Sequence, residues 1–412
     1  MSESTTSPLT PVRTPDRIDA LDLLRGFAVL GILVMNIQSY GMPGSAYFFP
    51  TSFGDMGGLN GLVWWIGDLL FESKFITIFS MLFGAGIALM SDRARASGRG
   101  FAGLHYRRMG WLLVIGLIHA YLLWSGDILV SYAVCGLVVF LFRRSSPRKL
   151  VIWGLVFLLI GSTMSCLSGW SSRQWPPEVL SEMKENFFPP APKIAEEVAD
   201  MQGGFAAQSK HRVAASAFMH ATVLPWYMLW RGLGVMLLGM ALYRTGVLTG
   251  EAHVRTYRLF IVLGLAVGLP LTVWGNMRTL AIDWDVIPSF FHMGQYSYWG
   301  SILMALGWIS VWMLLQRSGA VEGLRTRLRA VGRMALTNYL MQTVLGVLIF
   351  TGTGLGLFGR VPRIGQAGLV VLIWALQLAW SPWWLARFRF GPAEWLWRSL
   401  SYRSRQPFRR SA

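Results

Sequence analysis

Two residues eight positions apart, His119 and Asp127, flank a short turn, Trp124-Ser125-Gly126, between two apolar runs. A histidine exchanges a proton near neutrality, and a carboxylate on its second ring nitrogen fixes the tautomer. If the turn folds back, Asp127 orients His119 and the two form a general base. Each has a plainer role as well. A histidine inside a membrane serves structure about as often as chemistry, and Asp127 is placed to cap the run that follows. These two are the candidate catalytic residues.

A second set has the chemistry of anion binding. In IDALDLLRGFAVLGILVMNIQSY, Asp19, Asp22 and Arg25 recur every three residues and share one side of a helix. An arginine carried to the head-group boundary must snorkel, pair or face a wet cavity. Asp22, at i,i+3, is placed to pair with it, and a simple orientation anchor is the alternative. In GLRTRLRAVGRMALTNYLMQTVLG, Arg325, Arg329 and Arg333 repeat at i,i+4, and Asn338 and Gln342 follow on one side. Such a face attracts anionic lipid head-groups, and the same geometry suits the phosphates of a cytosolic cofactor. Asp22, Arg25, Arg333, Asn338 and Gln342 are therefore the candidate cofactor-binding residues.

A third set concerns passage through the bilayer. Arg231 falls near the middle of AFMHATVLPWYMLWRGLGVMLLGMALYR, beyond a kink expected at Pro225. At that depth it requires a carboxylate, an anionic ligand or water. Asp68 and Glu72, four apart in GLVWWIGDLLFES with Lys74 beside them, are the expected partners, ahead of direct ligand contact. With Trp124 they make the candidate substrate-binding group. No cluster of metal-ligand spacing accompanies them, so no metal is expected.

The elements that must position these residues are membrane helices. The 412 residues are 54% hydrophobic and 14% charged, with 20 tryptophans, and the mean hydropathy is +0.46. An ordinary soluble chain has about 45–50% apolar and about 25% charged residues. The class is an all-α polytopic helical bundle. Runs of roughly 20 residues, the length that crosses the hydrocarbon, begin near Leu21, Ser73, Met109, Ile128, Leu150, Phe218, Phe260, Phe290, Met334 and Ile364. That predicts about ten transmembrane helices, with the segment before Lys74 tilted or broken.

A net charge of +17 would suggest a nucleic-acid partner in a soluble protein. Here the charge separates by loop. Alternate loops and the two ends hold 27 of the 37 basic residues, from Arg13 and Arg17 through Arg99 to the seven arginines between Arg387 and Arg410; the opposite loops hold eight, and Lys74 and Arg231 lie within runs. Positive-inside bias then puts both termini in the cytoplasm of a bacterial inner membrane and removes the nucleic-acid reading. The first run is too long for a signal h-region and is read as retained. Cys135 and Cys166 fall at different depths, which argues against a disulfide.

The expected organisation is a cytoplasmic tail (1–17), an N-terminal transmembrane half (18–169), an extracytoplasmic polar cap of one or two amphipathic helices (170–217), a C-terminal transmembrane half (218–386) and a basic interfacial tail (387–412). Glycines in Phe83-Gly84-Ala85-Gly86 are expected to permit close helix packing. The tail, FRFGPAEWLWRSLSYRSRQPFRR, reads as an amphipathic helix on the inner leaflet.

The stretches RIDALDLLRGFAVLGILVMNI, KFITIFSMLFGAGIALM, HAYLLWSGDILVSYA, GRMALTNYLMQT and FRFGPAEWLWRSLSY together resemble the YeiB-like bacterial inner-membrane proteins, over nearly the whole chain and in the same order. The C-terminal half of that family is catalogued as a domain of unknown function. A more distant likeness is to transmembrane acetyltransferases of the heparan-α-glucosaminide type, which open on a similar D-x-x-R-G span matched here by Asp22, Arg25 and Gly26. That likeness implies acyl transfer from cytosolic acetyl-CoA to a sugar amine across the membrane. The histidine that family carries in the loop after its first span has no counterpart in GDMGGLNG, where Asp55 is the nearest ionisable group, so the role passes to His119.

Taken together the expectation is a membrane acyltransferase with acetyl-CoA or another acyl-CoA as donor and a small-molecule or lipid-linked acceptor, in contact with membrane lipids. The alternative is a transporter of a small solute or lipid-linked substrate, in which Arg231 and Asp68 bind cargo and His119 couples protons. No inverted repeat relates residues 18–170 to 218–386. A lipid-binding or signalling protein is a third possibility.

Overall fold

The computed structural model describes residues 18–98 and 100–410. The expected tail 1–17, with Arg13 and Arg17, lies outside the described residues, as does Arg99. The ordered elements among the described residues are helices, apart from one antiparallel bridge between Phe388 and Arg409.

The first half comprises α1 (Asp19–Gly41), the short α2 (Gly44–Phe48), α3 (Gly58–Ile66), α4 (Lys74–Ala96), α5 (Ala102–Leu122), α6 (Leu129–Val139) and α7 (Pro147–Ser171). Then come α8 (Pro177–Phe187), α9 (Ala191–Gln202) and α10 (Phe205–Phe218). The second half contains α11 (Leu229–Arg244), α12 (Val254–Leu263), α13 (Leu269–Ala281), the single turn α14 (Val286–Pro288), α15 (Gly294–Arg317), α16 (Glu322–Arg333), α17 (Ala335–Phe350), α18 (Arg363–Arg387) and α19 (Pro392–Tyr402).

Each of the ten expected runs is helical. Seven segments among the described residues are long and apolar enough to cross a membrane, or eight if α16 and α17, bent by 84° at Met334, count as one span. The other two are α5, whose first turns carry His105, Arg107 and Arg108, and α6 with the tight turn after it, which is short. The expected break before Lys74 falls at Glu72 and Ser73, where Ser73 takes a left-handed conformation (φ 60°). Pro225 sits in a widened π-type stretch, Met219–Met228, which frees its missing hydrogen bond without ending the helix.

The bundle is built around α1, against which α4, α16, α17 and α18 pack. In its apolar window 78% of residues are buried, against 28% for Pro147–Gln174 and 22% for Val254–Ala281, which form the periphery. Glycines set the closest crossings, because a helix with no Cβ at the contact lets backbones meet. A Cβ on Gly26 would run into the Leu328 carbonyl, and one on Gly332 into the Asp22 carbonyl, so α1 and α16 touch backbone to backbone. Gly84 and Gly239 do the same for α4 and α11, against Met236 and Met81.

Two differences from expectation have physical causes. The sixth span starts at Phe205 rather than Phe218: Arg212 and Ser216 donate to the Tyr121 and Ala120 carbonyls at the end of α5, so the polar turns are satisfied and the helix continues. The C-terminal helix α19 docks on α5 and α17. Its Glu394 accepts hydrogen bonds from the Leu336 and Thr337 amides (2.7 and 3.1 Å) and caps the start of α17, while Trp397 Nε1 donates to the Arg108 carbonyl (2.9 Å). Burial raises the Glu394 carboxyl above its ordinary range, and the bonds from Thr337 and Leu336 oppose that rise.

Candidate functional site

The turn after α5 does fold back. His119 Nδ1 lies 2.7 Å from Asp127 Oδ1, and both side chains are almost wholly buried. The second carboxylate oxygen of Asp127 accepts from the Val130 amide at 2.8 Å, so this residue both orients the imidazole and caps the first turn of α6. The other imidazole nitrogen, Nε2, is 2.9 Å from Thr343 Oγ1 on α17, and Thr343 is in turn 3.0 Å from the Tyr40 hydroxyl at the end of α1. Trp124 packs on Tyr40, presents its edge toward His119 and donates to Ser39 Oγ. Gly126 lies against the Trp124 ring, where a Cβ would overlap it.

Asp22 and Arg25 pair as expected, at 2.7 Å. Both line a cavity of about 240 Å³ at the arginine-rich end of the bundle. Five arginines line it, Arg25, Arg93, Arg108, Arg333 and Arg398, against two carboxylates, Asp22 and Glu394. Of these carboxylates one is bridged to Arg25 and the other caps α17. Deeper, the wall turns apolar and aromatic with Leu82, Leu112, Ile128, Leu129 and Tyr132. Tyr339 belongs to this wall and also packs on His119, with ring centroids 5.3 Å apart. One aromatic ring thus separates the cavity from the imidazole.

Other expected residues lie elsewhere. Asn338 and Gln342 turn toward α18: Asn338 donates to Ser381 and receives Trp380 Nε1, while Gln342 donates to Gln377 and to the Val29 carbonyl. They join α1, α17 and α18 and are absent from the cavity wall, because the bend at Met334 rotates α17 relative to the basic face of α16.

Arg231 is also differently partnered than its sequence position implies. Its guanidinium donates to the Tyr298 carbonyl (2.9 Å), Thr77 (3.0 Å) and Ser301 (2.8 Å) and lies over the Tyr298 ring, so neutral acceptors and an aromatic face replace the expected carboxylates. Asp68 instead accepts from Asn276, and its backbone carbonyl from Lys74 Nζ at 2.6 Å; Glu72 accepts from Tyr47 at 2.9 Å and from Ser73. None of these residues lines the basic cavity.

The family described as "Protein of unknown function (DUF418)" matches residues 242–404, which include α16, α17 and α19. The chain is 31% identical to "Uncharacterized protein YeiB" of Escherichia coli (strain K12), over 95% of this chain and 98% of the relative. It is 30% identical to "Uncharacterized protein YxaH" of Bacillus subtilis (strain 168), over 97% and 98%. The chain belongs to the YeiB-like family. A third relative, the "Uncharacterized 39.9 kDa protein in amylase 3'region" of Bacillus acidopullulyticus, is 28% identical over 97% of this chain.

In this YeiB-like chain the arginines around the cavity come from α1, α4, α5, α16 and α19, and α17 supplies Tyr339 and Thr343. Sequence reasoning missed Tyr40, Thr343, Tyr339, Arg93, Arg108 and Arg398 as site residues. A signal existed for two of them, since Tyr339 and Thr343 are i,i+4 on α17 and share a face.

Proposed function

We propose that the chain is an integral-membrane acyltransferase, multi-pass in the bacterial inner membrane with its arginine-rich end in the cytoplasm. It takes an acyl group, acetyl in the simplest case, from acyl-CoA and passes it to a sugar or lipid-linked acceptor reaching the bundle from the opposite side. The observation that carries this reading is a cavity rimmed by arginine and floored by apolar side chains, whose inner wall, Tyr339, rests on the Asp127-held imidazole of His119. Pockets for drug-sized ligands run to about 300–1,000 Å³. A volume of about 240 Å³ suits a thin acyl-pantetheine arm, with the nucleotide phosphates held at the rim by Arg25, Arg93, Arg108, Arg333 and Arg398, and Asp22 orienting Arg25. Asn338 and Gln342 leave the cofactor set because they face α18.

His119 acts through Nε2 as general base, and Asp127 keeps the proton on Nδ1. In net terms the acceptor exchanges an O–H or N–H bond for a bond to the acyl carbonyl carbon, the thioester C–S bond breaks, and the proton ends on the CoA thiol. Tyr339 must turn aside for this to happen. Trp124 shapes the far side of the imidazole, and Asp68, Glu72 and Arg231 brace the helices around it. The test is purified protein in lipid with radiolabelled acetyl-CoA and a membrane extract. Thiol release and a labelled acceptor are expected, both lost in His119→Ala. No release in the wild type overturns the reading.

One observation favours a second reading. The helix break at Glu72–Ser73 leaves Lys74 fully buried beside Asp68 and Glu72, and discontinuous helices with buried charge recur at transporter binding sites. Proteoliposome uptake that needs a proton gradient and ignores CoA would support it.

A further inference from the structure

We infer that Thr343 is the nucleophile of an Asp127–His119–Thr343 triad and carries the acyl group as an ester between donor and acceptor. The inference rests on the acyl-transfer reading above and extends it to a covalent intermediate.

The geometry assigns each part. Nucleophile, base and orienting group stand within hydrogen-bond reach in sequence, Thr343 Oγ1 to His119 Nε2 at 2.9 Å and His119 Nδ1 to Asp127 Oδ1 at 2.7 Å. That is the arrangement by which hydroxyl nucleophiles are activated on unrelated folds. Asp127 as a carboxylate only accepts, so Nδ1 bears the imidazole proton and Nε2 presents its lone pair to the Thr343 hydroxyl. The Tyr40 hydroxyl, 3.0 Å from the same oxygen, supplies a second donor at the reacting centre. Asp127 cannot swing away, since its other oxygen holds the Val130 amide.

The neighbouring polar residues of α17 behave differently. Asn338 and Gln342 bond amide groups and hydroxyls of α18 and backbone carbonyls, as interhelical ties do. Thr343 bonds a ring nitrogen whose partner nitrogen is held by a buried carboxylate. It stands one turn beyond Tyr339, the residue that closes the cavity, so an acyl chain entering past Tyr339 meets Thr343 next.

The step balances. The Thr343 proton passes to His119 Nε2, Oγ1 bonds the thioester carbonyl carbon, the C–S bond breaks, and the CoA thiolate takes the proton from His119. The acceptor then attacks the ester, gives its proton to His119, and Thr343 recovers it as the C–O bond breaks.

The test uses the full chain in lipid with two probes, acetyl-CoA and a fluorophosphonate that labels activated hydroxyls without any acyl donor. Acid-quenched wild type is expected to carry one acetyl group on the Thr343 peptide. Thr343→Ser keeps both labels, and Thr343→Val and His119→Ala lose them, with thiol release falling roughly 10³-fold or more. Fluorophosphonate on Thr343 without thiol release would sustain the nucleophile and sink acyl-CoA as donor. Thiol release by Thr343→Val at the wild-type rate, or no labelling of Thr343 by either probe, overturns the inference.

Discussion

Two buried polar clusters share this bundle, and they differ in what lies beside them. Around Arg231, each charge is satisfied by its neighbours: the guanidinium by Thr77, Ser301 and the Tyr298 carbonyl, Asp68 by Asn276, Glu72 by Tyr47. Around His119 the bonds are just as complete, but the chain of contacts ends on Tyr339, and beyond Tyr339 is a basic cavity. Burial of a charge in a membrane bundle is therefore a weak guide to function when taken alone. Contact with the basic cavity is the feature that separates the two.

Substitutions in each cluster should separate them further, and the largest effect is expected at Asp127. Asp127→Asn leaves the shape but frees the imidazole to take the wrong tautomer, so thiol release should fall roughly 10³-fold or more with little change in Tm. A parallel loss of folded protein instead would reduce Asp127 to its capping role. Next comes the crossing that holds the cavity's outer wall. Gly332→Leu drives a side chain into the Asp22 carbonyl and should destabilise the chain by about 3 kcal/mol, read as loss of monodisperse protein after extraction.

Arg231→Met tests the other cluster. Three interhelical bonds at about 0.6–1.7 kcal/mol each in a membrane place the loss at about 2–5 kcal/mol, so Tm should drop while thiol release per folded molecule is unchanged. If release collapses with folding intact, the contrast between the clusters is wrong. At the rim, Arg333→Gln should weaken binding of acetyl-CoA about tenfold and flatten its salt dependence, in line with about 1.5–3 kcal/mol for a hydrogen bond to a charged group. Binding followed by thermal shift that is indifferent to Arg333 and to salt would move the phosphates elsewhere.

The fold was largely legible because bilayer thickness is read directly from run length, and all ten runs are helices. What the sequence hid was relative rotation. His119 and Asp127 could be paired from their own turn, since the contact is local. Asp22 and Arg25 likewise lie three residues apart. Arg231 could not be partnered, because Thr77 and Ser301 on other helices are neutral and carry no charge signal. Asn338 and Gln342 were drawn toward the basic face of α16 by sequence continuity, and the 84° bend at Met334 takes them to α18. Thr343 went unnoticed for a related reason: a lone threonine in an apolar run is unremarkable until a helix from another part of the chain brings an imidazole to it.

The smallest effect is expected at Asp55, the ionisable group nearest to where the acetyltransferase pattern has its histidine. Its carboxylate accepts from the Gly57 amide at 2.8 Å and from Asn60 at 3.1 Å, which hold its pKa below the ordinary value of 3.8. A carboxyl lowered on folding contributes stability above its unfolded value and loses it as pH falls through the folded one. The Tm difference between wild type and Asp55→Ala should thus be small but present at pH 5 to 7, and should vanish on acidification below pH 3.8. Thiol release should not change, because these bonds shape a turn that is exposed to solvent and lies outside the cavity wall. Should Asp55→Ala abolish release with Tm intact, the chemistry belongs in this loop, and His119 with its cavity is a structural tie like Arg231.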